Sequence, residues 1–93
     1  MKIEVVLSSV LRDAVGKEKL GLELAEASTV RQAIERLRAE YPAVERELFD
    51  ADGELEPHIF VALNGAQVSR EGSLNRALQE GDQLALMISF AGG

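Results

Sequence analysis

The 93-residue sequence predicts an α+β domain of two layers, a mixed β-sheet with one main amphipathic helix packed on one face. Three observations carry this prediction. Two strongly apolar runs with period-two alternation, KIEVVLS (residues 2–8) and QLALMISF (residues 83–90), stand at opposite ends of the chain. Only one long stretch, residues 29–41, has its apolar residues at helical spacing. The predicted elements follow the order β-β-α-β-β-β, so a single helix has a single sheet face to cover.

In chain order, the first strand alternates around Ile3, Val5 and Leu7. SVLRDAVG follows as a short helical turn closed by Gly16, and GKEK is an exposed charged link. KLGLELA places Leu20, Leu22 and Leu24 at period two and returns as a second strand beside the first. Thr29 is a candidate N-cap with Gln32 three residues on, the pattern of a capping box. Val30, Ala33, Ile34, Leu37 and Tyr41 then form one apolar stripe, and Pro42 ends the helix. AVERELF is read as a short second helix and DADGELEP as a polar, turn-rich loop. HIFVALN (residues 58–64) is a strand, Asn64-Gly65 a hairpin turn, and AQV a brief return strand. LNRAL is expected to be a helical turn, Gly81-Asp82 a tight turn, and QLALMISF the last strand. The first and last strands are the most apolar, which places them side by side in the middle of the sheet, as a parallel pair. That is the β-grasp, or ubiquitin-like, arrangement.

Composition narrows the function. A chain of this length has room for one core, with residues 1–90 as the domain and 91–93 as a flexible tail. The net charge is −6, and the three Lys and seven Arg are scattered among acids, which argues against direct nucleic-acid binding. The absence of cysteine removes disulfides, thiolate metal sites and cysteine nucleophiles. Glu4 interrupts the N-terminal apolar run, which therefore does not resemble a signal peptide, and no stretch has the length of a membrane-spanning helix. The expected compartment is the cytoplasm.

Few residues suggest catalysis. His58, the one histidine, has no second metal-ligand type at a suitable spacing. Gly16 and Gly21 have the spacing of a phosphate-binding loop, but Leu22 stands where a lysine is required. Asp50, Asp52 and Glu54 miss the twelve-residue calcium-loop pattern and are read as a solvated turn. Ser8, Ser9 and Ser69 have no histidine placed to activate them. The expectation is a protein that is not an enzyme by itself and holds no bound cofactor or metal.

The sequence closes on LMISFAGG, an apolar strand running into two glycines. A tail without Cβ atoms can enter a narrow channel and adopt the backbone angles a partner imposes. A carboxylate is a poor electrophile until adenylation supplies a leaving group. A sulfur nucleophile can then attack the acyl carbon, and without cysteine that sulfur would reside on the main chain.

The stretches KIEVVLSSVLRDAVG, LELAEASTVRQAIERL, VALNG and L-x-x-x-L-x-x-GDQLALMISFAGG resemble the MoaD/ThiS family of ubiquitin-like sulfur carriers, over essentially the whole chain. The resemblance implies activation with ATP by an E1-like adenylyltransferase, conversion to a thiocarboxylate through a sulfur donor enzyme, and docking on a sulfur-accepting synthase. It implies that Gly93 bears the acyl adenylate and then the sulfur, with Gly92 and Ala91 as the tail. Two departures stand out. Ile88-Ser89 replaces the Pro-Pro common in molybdopterin-synthase small subunits. YPAVERELFDADGELEPH is longer than in thiamin carriers and resembles the branch that feeds a cysteine synthase. The pathway (molybdopterin, cysteine, thiamin or tRNA thiolation) stays open, as does a role as the small subunit of a synthase. Two other functions compete: a protein modifier joined to lysines through Gly93, and a plain β-grasp interaction module.

Strand phase also predicts a docking surface. Leu84, Leu86 and Ile88 face the helix, which leaves Met87 on the open face with Phe60 and Ala62 of the neighbouring strand. Phe90 lies where the strand gives way to the tail. An exposed Met and aromatic beside a functional terminus suggest a partner patch.

Overall fold

The computed structural model describes residues 1–68 and 73–88. Five strands form one mixed sheet: β1 (Lys2–Leu7), β2 (Lys19–Glu23), β3 (Ile59–Leu63), β4 (Ala66–Gln67) and β5 (Gln83–Ile88). Their order across the sheet is β2-β1-β5-β3-β4. β1 and β5 are parallel neighbours, and the remaining pairs are antiparallel. The two apolar end strands therefore lie inside the sheet, as their composition requires. The fold is the β-grasp.

One face is covered by helices. α2 (Val30–Glu40) buries Val30, Ala33, Ile34 and Leu37. These meet Ile3, Val5, Leu20, Leu22, Leu84 and Leu86 in a continuous apolar cluster. Thr29 and Gln32 close the predicted capping box, with the Gln32 N–H donating to Thr29 Oγ1 at 3.2 Å and the Thr29 N–H donating to Gln32 Oε1 at 2.8 Å. Tyr41 leaves helical geometry ahead of Pro42, which opens a 3-10 turn, Pro42–Val44, leading into α3 (Glu45–Leu48). Arg38 ties α2 to this segment. Its guanidinium lies 3.3 Å from Glu45 and 4.9 Å from the centroid of the Phe49 ring. α1 (Ser9–Val15) contributes fully buried Leu11 and ends on Gly16 in the left-handed region, φ 87°.

One expectation needs correction. The sequence predicts a helical turn at LNRAL, but only its start lies in a 3-10 turn, Ser73–Asn75, and Ala77 instead bridges Thr29. The reason lies at the start of α2, whose first N–H groups have no partner within the helix. The Val30 N–H donates to the Arg76 carbonyl at 3.0 Å, and the Leu78 N–H donates to the Ser28 carbonyl at 2.8 Å. These bonds pull the segment straight.

Candidate functional site: the open face of the sheet

Alternation along the strands sorts their side chains onto two faces. On β5, Leu84 and Leu86 enter the core, while Gln83, Ala85 and Met87 point the other way. Among the described residues no helix covers that second face at Met87, which is 39% exposed and stands in register with Phe60 on β3, 38% exposed. Ala85 is flanked in register by Val6 of β1 and Ala62 of β3. The result is a small apolar strip across the three inner strands, with Met87 and Phe60 as its raised end.

Ala62 corrects one detail of the sequence reading. It shares the open face by register but is only 9% exposed. Its methyl is the shortest apolar side chain available and sits between β5 and β4, so it forms the floor of the patch without offering surface of its own. Val6 and Ala85, which the sequence reading did not name, complete the strip and are half-buried. The signal for Val6 was present: it falls out of phase with Ile3, Val5 and Leu7.

Polar groups frame the strip. Gln83 Nε2 donates to Glu4 Oε1 at 2.7 Å, linking β5 to β1 on the exposed side. The entry to β5 is held by a clasp built on Asn64 and Asp82. The Gln83 N–H donates to Asn64 Oδ1 (2.9 Å), Asn64 Nδ2 donates to Asp82 Oδ1 (3.1 Å), and the Gln79 N–H donates to Asp82 Oδ2 (2.8 Å). Asn64 and Gly65 both have positive φ, 51° and 86°, which makes their two-residue hairpin loop a primed turn. The clasp fixes β3 against β5 and so sets Phe60 opposite Met87.

β5 hands the chain on from the same region. Ile88, its last residue, pairs with Ile59, one position from the Phe60–Met87 pair. Phe90, Ala91, Gly92 and Gly93 lie outside the described residues, as does Ser69.

The weaker candidates take structural roles. Asp50 Oδ1 accepts from the backbone N–H groups of Asp52 and Glu54 at 2.9 and 3.0 Å, so this carboxylate organises its own turn. His58 is exposed, with Nδ1 3.6 Å from a Glu56 carboxylate oxygen. Among the described residues no group of three or more His, Cys, Asp or Glu could hold a metal ion, and no helix is long and apolar enough to cross a membrane. Gly16 caps α1 while Gly21 lies inside β2, so the two share no loop.

Comparison with known proteins agrees with this architecture. The model of the ThiS family matches residues 5–93. Small archaeal modifier protein 3 of Haloferax volcanii is 30% identical over 93 residues, covering 100% of both chains. The crystal structure of SAMP1 from Haloferax volcanii superposes with a TM-score of 0.89 at 32% identity, again over 100% of each chain. A chain in the crystal structure of the Amycolatopsis orientalis BexX/CysO complex gives a TM-score of 0.74 at 27% identity, covering 98% of this chain and 99% of that one. A parallel β1–β5 pair at the heart of a mixed sheet, one helix-covered face and a family match running through the final glycines converge on one assignment: this chain belongs to the ThiS family of ubiquitin-like β-grasp proteins.

Proposed function

We propose that this protein is a ubiquitin-like sulfur carrier whose working atom is the carboxyl carbon of Gly93. The observation that supports this most is the family match running through Gly92 and Gly93, read together with β5, which leads towards them from beside the Phe60–Met87 patch. On this reading the Gly93 carboxylate attacks the α-phosphate of ATP on an E1-like partner, forming the acyl adenylate and releasing pyrophosphate. Hydrosulfide supplied by the donor enzyme then attacks the acyl carbon, the bond to the AMP phosphate oxygen breaks, AMP and a proton leave, and the product is a thiocarboxylate. That thiocarboxylate donates its sulfur on an accepting synthase. The chain is thus a substrate of its partners and needs no catalytic group of its own. Met87 and Phe60 would seat on those partners, because exposed apolar side chains gain most from being covered.

A second reading is favoured by a specific observation, the similarity to proteins named small archaeal modifiers. There the same activated Gly93 would be transferred to lysine amines of target proteins.

Intact mass spectrometry of the untagged protein from its own cells tests both. A fraction heavier by one oxygen-to-sulfur exchange at Gly93 is expected for the carrier, and Gly93 joined to target lysines for the modifier. Neither species, in cells making sulfur-containing cofactors, would leave only an interaction module. Removing Gly93 should abolish transfer while folding persists. Gly92→Val should fold normally but slow adenylation sharply, since β-branching restricts the backbone angles available inside a narrow channel.

A further inference from the structure

We propose that the outer edge of β2 is a self-association surface, at which two copies of this chain pair their β2 strands antiparallel about Gly21. The argument starts from hydrogen-bond phase. Met1 and Leu24 exchange both of their backbone bonds (2.7 and 2.8 Å), and the Leu7 N–H donates to the Glu18 carbonyl at 2.8 Å. In an antiparallel ladder bonded pairs recur every second residue, so Leu20 and Leu22 turn their N–H and C=O groups towards β1. Lys19, Gly21 and Glu23 therefore turn theirs outward, along an edge that has no neighbouring strand among the described residues.

The sequence of that edge is its own complement. KLGLE, paired antiparallel with a second copy and centred on Gly21, sets Lys19 opposite Glu23 of the other copy, and Glu23 opposite its Lys19. All outward backbone groups of the strand then find partners at once. Both ion pairs lie on the open face, where Lys19, Gly21 and Glu23 are exposed, and opposite charges directly across a ladder attract. At the centre, where any side chain would face its own copy across the two-fold axis, stands glycine. Its missing side chain leaves a depression crossed by the Lys2 stem, whose Cε would lie 2.9 Å from a Cβ on Gly21.

A lysine on an edge strand commonly blunts pairing with foreign strands. Here an acid is placed symmetrically about the centre, so a second copy of the same strand offers the opposite charge at each position. The charge of −6 on each copy opposes association, and the contact is small. The expected dimer is accordingly weak, with a dissociation constant on the order of 0.1–1 mM. β2 is separated from β3 by β1 and β5, so Phe60 and Met87 stay uncovered and the dimer presents two patches on one ten-stranded face.

Analytical ultracentrifugation of the full chain at roughly 0.15 M salt tests the pairing with two charge reversals at exposed positions, K19E and E23K. The wild type should dimerise reversibly, and each variant alone should associate at least about tenfold more weakly, because like charges now meet across both pairs. An equimolar mixture should recover wild-type association, since the two acids of the K19E copy then face the two lysines of the E23K copy. Each reversal moves the net charge by two, from −6 to −8 or −4, so both variants stay negative and bulk attraction does not explain recovery. Circular dichroism melts check that each variant is folded. A wild type that remains monomeric near 1 mM overturns the proposal. So does single-variant association equal to wild type, or a mixture no tighter than its components.

Discussion

The two faces of this sheet are made by the same strands and behave as different materials. Leu86 of β5 is completely buried under the helices, whereas Met87, its immediate neighbour, has more than a third of its surface in water. The helix-covered face is a continuous apolar block, mostly leucine, isoleucine and valine, drawn from all along the described chain. The open face carries a narrow apolar strip framed by Lys, Glu and Gln. The difference teaches where stability is concentrated. Most buried apolar side chains lie on one side of the backbone, so the other side is free to vary at little cost to folding.

Truncation on the covered face should give the largest effect. Leu86→Ala removes a fully buried side chain from the central strand and should cost about 2–5 kcal/mol, read from chemical denaturation; a loss below about 1 kcal/mol would mean the two faces are less distinct than their burial indicates. Asn64→Ala comes next. It puts a residue with Cβ but no capping carbonyl at φ 51° and removes the bonds to Gln83 and Asp82. The expected cost is about 1–2 kcal/mol, with amide-exchange protection lost first between β3 and β5. Thr29→Ala should cost about 1 kcal/mol by opening the capping box of α2, seen as a lower denaturation midpoint with an unchanged slope. Met87→Ser should shift stability by no more than about 0.5 kcal/mol yet, on the proposed function, weaken binding to an E1-like activating enzyme in titration calorimetry. If Met87→Ser destabilised the fold as Leu86→Ala does, the division of labour between the faces would fail.

Much of this was legible in the sequence because burial leaves a periodic trace. Alternation at Ile3, Val5 and Leu7, and again at Leu84 and Leu86, identified both strands and the faces they present. The stripe from Val30 to Leu37 did the same for α2. What escaped was fixed by contacts between distant residues. The segment around Ala77 is straightened by backbone bonds to Ser28 and Val30, which constrain no side-chain pattern. The Asn64–Asp82 clasp joins residues eighteen apart, and only the turn chemistry of Asn64-Gly65 showed locally. Ala62 was assigned to the correct face, but its depth depends on the size of its neighbours, which strand phase does not report. The self-complementary charges of KLGLE became meaningful only once β2 was known to be an edge.

The placement of β5 between β1 and β3 has a consequence for biosynthesis. A ribosome delivers β1 first and β5 last among the strands, so the growing chain holds two unconnected half-sheets, β1–β2 and β3–β4, whose inner edges wait for a strand not yet made. Long-range pairing of this kind is slow and leaves unsatisfied edges open to aggregation. Neither half can close its core alone, because Leu84 and Leu86 supply the middle of it. A prematurely terminated product would thus be left unfolded and open to proteolysis, and only a chain synthesised through β5 would circulate as a folded protein.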